Sequence, residues 1–179
     1  MIVLCRHGAT EGNERGVFLS RSDPPLSAAG RIQCEGVRDA LRDVVLDRCV
    51  VSPARRAQES RSIIAPRVPY RIEEALREID FGEWEGRTLS WLEVHDPRGV
   101  AERARDPVNF RPRGGESFAD VAERVTPLVE ELRGNATPTL VIAHRGSLGV
   151  IERLLRGQRL ASRDVRPLEP GEFRAVRLS

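Results

Sequence analysis

The chain contains no lysine. All 29 of its basic residues are arginine, set against 27 acidic ones for a formal net charge of +2. The arginines are scattered among acids and never mass into one block, which argues against a nucleic-acid footprint. Cysteine is scarce as well. Cys5, Cys34 and Cys49 are odd in number and show no Cys-x-x-Cys spacing, which fits neither a disulfide framework nor a zinc site. Cys5 and Cys49 lie in apolar runs and read as packing residues. No apolar run approaches membrane-spanning length. Ile2–Cys5 gives way at once to Arg6, without the long apolar core of a secretory signal. The expectation is a cytoplasmic protein with neither a membrane nor a nucleic acid as partner.

What is present is ordinary for a globular chain: 179 residues, 40% apolar and 31% charged. That length suggests one domain over 1–179 with a substantial core. No repeat or low-complexity segment divides it. Residues 1–5, 49–52, 69–75, 139–143 and 173–178 read as strands. Helices are expected from Ala28 to about Leu41, with Ser27 as cap and Ile32, Val37 and Leu41 on one face, and from Pro53 to Ala65. Residues 88–105 are weakly helical, interrupted by Pro97 and Gly99. Glu116–Arg133 is the clearest amphipathic helix, and Ser147–Leu155 is another. Strands alternating with helices imply a doubly wound α/β domain.

Two of these strands end in the same way, at Arg6-His7-Gly8 and at His144-Arg145-Gly146. Either triplet alone is weak in so arginine-rich a chain. Together they gain weight, because an open parallel sheet brings the carboxyl ends of neighbouring strands to one site. Three further segments fall in a consistent order: Ser52-Pro53-Ala54-Arg55-Arg56-Ala57, Leu76-Arg77-Glu78-Ile79-Asp80-Phe81-Gly82-Glu83-Trp84-Glu85-Gly86, and Pro112-Arg113-Gly114-Gly115-Glu116-Ser117. On the residues alone, Arg56 could be a solvated helix face. Glu78, Asp80, Glu83 and Glu85 are equal candidates for an acid, and Gly114–Ser117 could simply initiate a helix.

In this arrangement the chain resembles the histidine phosphatase superfamily, the phosphoglycerate-mutase-like proteins. The resemblance covers Ile2 to about Leu155. It implies a three-layer α/β/α fold around a mostly parallel sheet, and hydrolysis of a phosphate monoester through a phosphohistidine. By the resemblance His7 is the nucleophile and Glu78 the proton donor, while Arg6, Asn13, Arg56 and His144 bind the phosphate. Gly8 would offer the carbonyl that fixes the His7 tautomer, and His144 would be protonated among so much anionic charge. No metal or cofactor is implied, since Arg6, Arg56 and Arg145 would oppose a cation. Serine at position 20, where the family usually has a nearby glycine, puts the geometry of that loop in question.

The partner is expected to be a small-molecule phosphate ester. Within the family, the short stretch between Gly86 and Gly114 leaves little room for the lid a mutase needs, so hydrolysis is favoured. The size and the Gly-Gly-Glu-Ser segment resemble the broad-specificity and α-ribazole-5′-phosphate phosphatases. Phe18, Trp84, Trp91 and residues 88–112 are expected to line the leaving-group side. Three alternatives stand: an α-ribazole-5′-phosphate phosphatase, a cofactor-dependent phosphoglycerate mutase, and a non-catalytic phosphate-binding protein. His95 has no assigned role. The oligomeric state is open, a homodimer included, and so is the role of Arg166–Gly171.

Overall fold

The computed structural model of the chain describes residues 1–135, 137–161 and 164–177. Strand β1 (Ile2–Arg6) alternates strictly. Ile2 and Leu4 enter one core while Val3 and Cys5 enter another, as the two-residue period of a strand requires. β2 (Arg48–Val51) and β4 (Thr139–Ala143) divide in the same way. Val50, Val141 and Ala143 face the first core, and Cys49, Val51, Leu140 and Ile142 face the second. A sheet apolar on both faces has to be covered on both.

Helices α2 (Ala28–Ala40) and α3 (Arg55–Ile64) contribute to the second core; α6 (Phe118–Gly134) and α7 (Arg145–Leu155) contribute to the first. The result is a three-layer α/β/α sandwich. With β3 (Tyr70–Ile72) and β5 (Phe173–Val176) the sheet has the order β3-β2-β4-β1-β5. β3, β2, β4 and β1 are parallel, and β5 is antiparallel to β1. Leu178, the last residue of the expected final strand, lies outside the described residues.

Several expectations shift. Ser27 caps α2 by accepting from Gly30 N–H, but Ile32 is 68% exposed. The buried stripe is Gly30, Cys34, Val37 and Leu41, whose small members do not register as apolar bulk. Gly30 is small for a reason: a Cβ there would stand 2.1 Å from the Ala9 carbonyl oxygen, so α2 packs directly on the loop after β1. Residues 88–105 form two well-defined helices, α4 (Leu89–His95) and α5 (Pro97–Arg105). Asp96 closes the first and caps the second, and Pro97 takes the first helical turn, where its missing N–H costs nothing. Ser117 and Asp120 form a capping box at α6, and the short helix α1 (Glu11–Glu14) is capped likewise by Thr10 and Asn13. Among the described residues no helix is long and apolar enough to cross a membrane.

Candidate active site

β1 and β4 pair in parallel with Arg6 opposite Ala143, and the His7 N–H donates to the Ala143 carbonyl at 3.1 Å. The residues that follow the two strands therefore emerge side by side. The His7 and His144 rings lie 5.0 Å apart between centroids at 62°, and are 3% and 0% exposed.

His7 Nδ1 is 2.7 Å from the Gly8 carbonyl oxygen. A carbonyl can only accept, so Nδ1 carries the proton and Nε2 keeps its lone pair. Burial first, then the Arg56 charge, push the His7 pKa down to about 3; Arg6 adds to this, and the Gly8 carbonyl opposes it. His144 Nε2 is 2.8 Å from Ser52 Oγ. Burial, His7, Arg56 and Arg6 hold its pKa well below the ordinary histidine value. These surroundings oppose the protonated His144 that was expected beside a phosphate. That reading counted the phosphate's charge, but not the burial or the guanidinium groups around the ring.

Arg6 ends β1 with its side chain buried. Its Nη1 donates to the Leu168 carbonyl at 3.0 Å and lies 3.6 Å from the Glu169 carboxylate. Arg56, 1% exposed, donates to the Ser22 carbonyl at 3.0 Å. Its neighbour Arg55 points outward and pairs with Glu59 at 2.8 Å. Ser60 Oγ ties these pieces together, accepting from Gly8 N–H at 3.1 Å and donating to the Arg56 carbonyl at 2.7 Å. Asn13 Oδ1 accepts from Thr10 N–H and Thr10 Oγ, which fixes the amide and leaves Nδ2 as its donor.

Arg6, His7, Asn13, Arg56 and Glu78 line one cavity of about 700 Å³. His144 lies behind His7, fully enclosed. The four carboxylates of the 76–86 loop have separate fates. Glu78 Oε1 accepts from Gly146 N–H at 3.0 Å and Ser147 N–H at 3.1 Å, at the N-terminus of α7, and from Ile79 N–H at 3.0 Å. Asp80 is held by Arg21 at 2.6 Å, and Glu83 is exposed, 3.5 Å from Arg113. Glu85 accepts from Ser20 N–H at 2.7 Å and Ser20 Oγ at 2.5 Å. Burial alone would raise the Glu85 carboxyl, but the bonds from Ser20 and Ser22 outweigh it and hold it below the usual range. Ser20 also accepts from Phe81 N–H at 3.1 Å, so it fastens its loop to the 76–86 loop.

The residues expected on the leaving-group side are placed differently from one another. Phe18 lines the cavity, joined from residues 88–112 by Leu89, Arg103, Pro107 and Val108. Trp84 is buried behind Phe18, against Phe110 at 5.0 Å, with its indole N–H on Asp96 at 2.9 Å. Trp91 stacks at the surface on His95, 3.9 Å between centroids. The Pro112–Ser117 segment leads into α6, and its Glu116 also accepts from Asp80 N–H at 3.0 Å, bracing the 76–86 loop.

The segment after α7 is the part that sequence reading missed. Pro167, Glu169 and Pro170 line the cavity, and the Gly171 N–H donates to the His7 carbonyl at 3.1 Å. Its grip on Arg6 runs through the Leu168 carbonyl, which no side-chain motif announces.

The chain is 32% identical over 167 residues to the glucosyl-3-phosphoglycerate phosphatase of Mycolicibacterium vanbaalenii, covering 87% of this chain and 74% of that protein. It is 32% identical over 157 residues to the adenosylcobalamin/α-ribazole phosphatase of Salmonella typhimurium, covering 85% and 78%. Among solved structures it is similar to a mycobacterial glucosyl-3-phosphoglycerate phosphatase in complex with VO3, with a TM-score of 0.87 at 27% identity over 96% of this chain and 88% of that one. The α-ribazole phosphatase from Shigella flexneri gives 0.86 at 27% identity, over 96% and 87%. Fold and relatives together define the class, a phosphoric monoester hydrolase. The chain belongs to the histidine phosphatase superfamily, branch 1, whose family model matches residues 2–178.

Proposed function

We propose that this protein hydrolyses a small phosphorylated metabolite, without a metal, through a phosphohistidine on His7. The observation that carries the reading is the neutral His7 ring. Its Nδ1–H is fixed on the Gly8 carbonyl, and its Nε2 lone pair belongs to a cavity that Arg6 and Arg56 also line. Nε2 attacks phosphorus, the P–N bond forms, and the ester P–O bond breaks. The negative charge spread over the phosphoryl oxygens meets Arg6, Arg56 and the Asn13 amide, and such positioned charge supplies most of the catalysis in phosphoryl transfer. Glu78 gives its proton to the departing alkoxide. It then takes one from water, whose oxygen displaces the histidine and releases inorganic phosphate. His7 returns to its neutral tautomer.

The test is p-nitrophenyl phosphate hydrolysis in EDTA, for the wild type beside His7→Ala and Glu78→Ala, together with acid-quench trapping of labelled phosphoprotein. The expected result is turnover by the wild type, none by His7→Ala, and a strongly reduced rate for Glu78→Ala. A well-folded wild type that releases no phosphate from aryl or alkyl esters would overturn the reading and favour a phosphate-binding protein. The relatives named for α-ribazole keep α-ribazole 5′-phosphate in the substrate panel, beside glucosyl-3-phosphoglycerate.

A further inference from the structure

Glu78 is held at two levels. Its carboxyl group rests on N–H groups in the first turn of α7. Its backbone is held from α6, by Arg124, and all three nitrogens of that guanidinium are engaged. Nη1 donates to the Ala75 carbonyl, and Nη2 to the Arg77 carbonyl at 2.9 Å and the Glu78 carbonyl at 3.3 Å. Nε and Nη2 also fork onto the Glu116 carboxylate, at 3.0 Å and 3.2 Å. Glu116 in turn accepts from Asp80 N–H at 3.0 Å, and its own N–H donates to the Asp80 carbonyl at 2.8 Å. The main chain is thus clasped at residues 75–78 and again at residue 80.

The clasp stands on fixed supports. Arg124 belongs to α6, whose Val121, Val125 and Leu128 are buried in the first core. Leu76 and Ile79, which bracket Glu78, are buried in the same core. Gly115 lets the segment before α6 approach: a Cβ there would stand 2.4 Å from the Asp80 carbonyl oxygen. Arginine suits the task because its planar fork reaches several acceptors at fixed angles, where lysine offers a single nitrogen. Arg124 is not among the described residues that line the catalytic cavity, so its influence on the chemistry runs through the chain it holds. A displacement of about 1 Å at a reacting group costs on the order of 100-fold in rate. On the reading that Glu78 is the proton donor, we infer that Arg124, paired with Glu116, is a positioning residue for that proton transfer, acting through the main chain of residues 75–80.

A double-mutant cycle tests this. The kcat/KM is measured in EDTA for glycerol 3-phosphate, whose alkoxide needs a proton to leave, and for p-nitrophenyl phosphate, whose phenolate needs little. The proteins are the wild type, Arg124→Gln, Glu78→Gln and the double variant. The alkyl-to-aryl ratio cancels any general loss of active protein. Arg124→Gln is expected to lower that ratio about tenfold. In the Glu78→Gln background the same substitution should change it less than about twofold, because a residue acting through Glu78 then has nothing left to position. Arg124→Lys keeps the charge without the fork, and takes the same place in the cycle should Arg124→Gln fail to fold. A ratio unmoved by the Arg124 substitutions, or one that falls as far when Glu78 is already gone, would overturn the inference while leaving Glu78 as the donor. A Glu78→Gln variant that itself keeps the wild-type ratio would instead overturn the proton-donor reading.

Discussion

Gly146 and Glu78 are fitted to one another. A Cβ on Gly146 would stand 2.6 Å from Glu78 Oε1, in the space the carboxylate needs to take the Gly146 N–H at 3.0 Å. The first turn of α7 thus holds the Glu78 carboxyl group through bare backbone. Gly146→Ala is expected to fold but to displace Glu78 by an ångström or so. The kcat for an alkyl phosphate should fall about 100-fold, and that for p-nitrophenyl phosphate much less, since p-nitrophenolate needs little protonation to leave. An equal loss on both esters would place the damage elsewhere.

The two histidines should make the fold acid-sensitive. His7 keeps a pKa of about 3 in the folded protein, against about 6.5 unfolded. Between those values the unfolded chain binds the extra proton, so stability is complete above about pH 6.5 and falls as pH drops towards 3. His144 is shifted the same way. The His7 ring should cost about 1 kcal/mol between pH 7 and 5.5. Urea unfolding at the two pH values should show a loss that is smaller in His7→Asn by about that amount. An identical pH dependence in wild type and variant would refute the assignment.

Ser20 anchors its loop through Glu85 and Phe81. Ser20→Ala removes the hydroxyl that bonds a charged, partly buried carboxylate, and should cost about 1–3 kcal/mol. It should also raise KM, because the same loop carries the Ser22 carbonyl that Arg56 holds. Thermal unfolding and substrate titration read the two effects separately.

Glu152 on α7 is buried, with Arg156 at 3.0 Å and Arg174 at 2.7 Å, and Arg174 also holds the Arg166 carbonyl at 3.1 Å. Glu152→Gln leaves two guanidinium groups facing a neutral amide and should cost about 3 kcal/mol. Because Arg174 steadies the segment that reaches Arg6, phosphate affinity should weaken as well, as read by the inhibition constant of inorganic phosphate. Lost stability with unchanged phosphate inhibition would confine Glu152 to the fold.

The sheet and the paired histidines were legible because both rest on local pattern. β1 and β4 are short apolar runs that stop at a histidine, and the parallel-sheet rule brings such ends together. Ile32 misled because its neighbours in the true stripe, Gly30 and Cys34, are too small to register as apolar. Trp91 misled because aromatic character says nothing of direction, and its ring turns outward onto His95. Arg103 lines the cavity, yet nothing in the sequence singles it out among 29 arginines. Leu168 acts through its carbonyl, which every residue has. The charge state of His144 depends on burial and on cations distant in sequence, and these exist only once the chain is folded.

The placement of β1 also has a bearing on biosynthesis. Of the five strands of the sheet β1 is made first, and it lies between β4 and β5, the two made last, with Ile2 paired to Thr139 and Val176. The sheet cannot close around its founding strand during translation, and the cavity waits for a carbonyl at position 168. Contacts so distant along the chain slow folding and expose apolar edges in the interval. A nascent chain of this protein should therefore remain inactive until β5 and the segment before it have emerged.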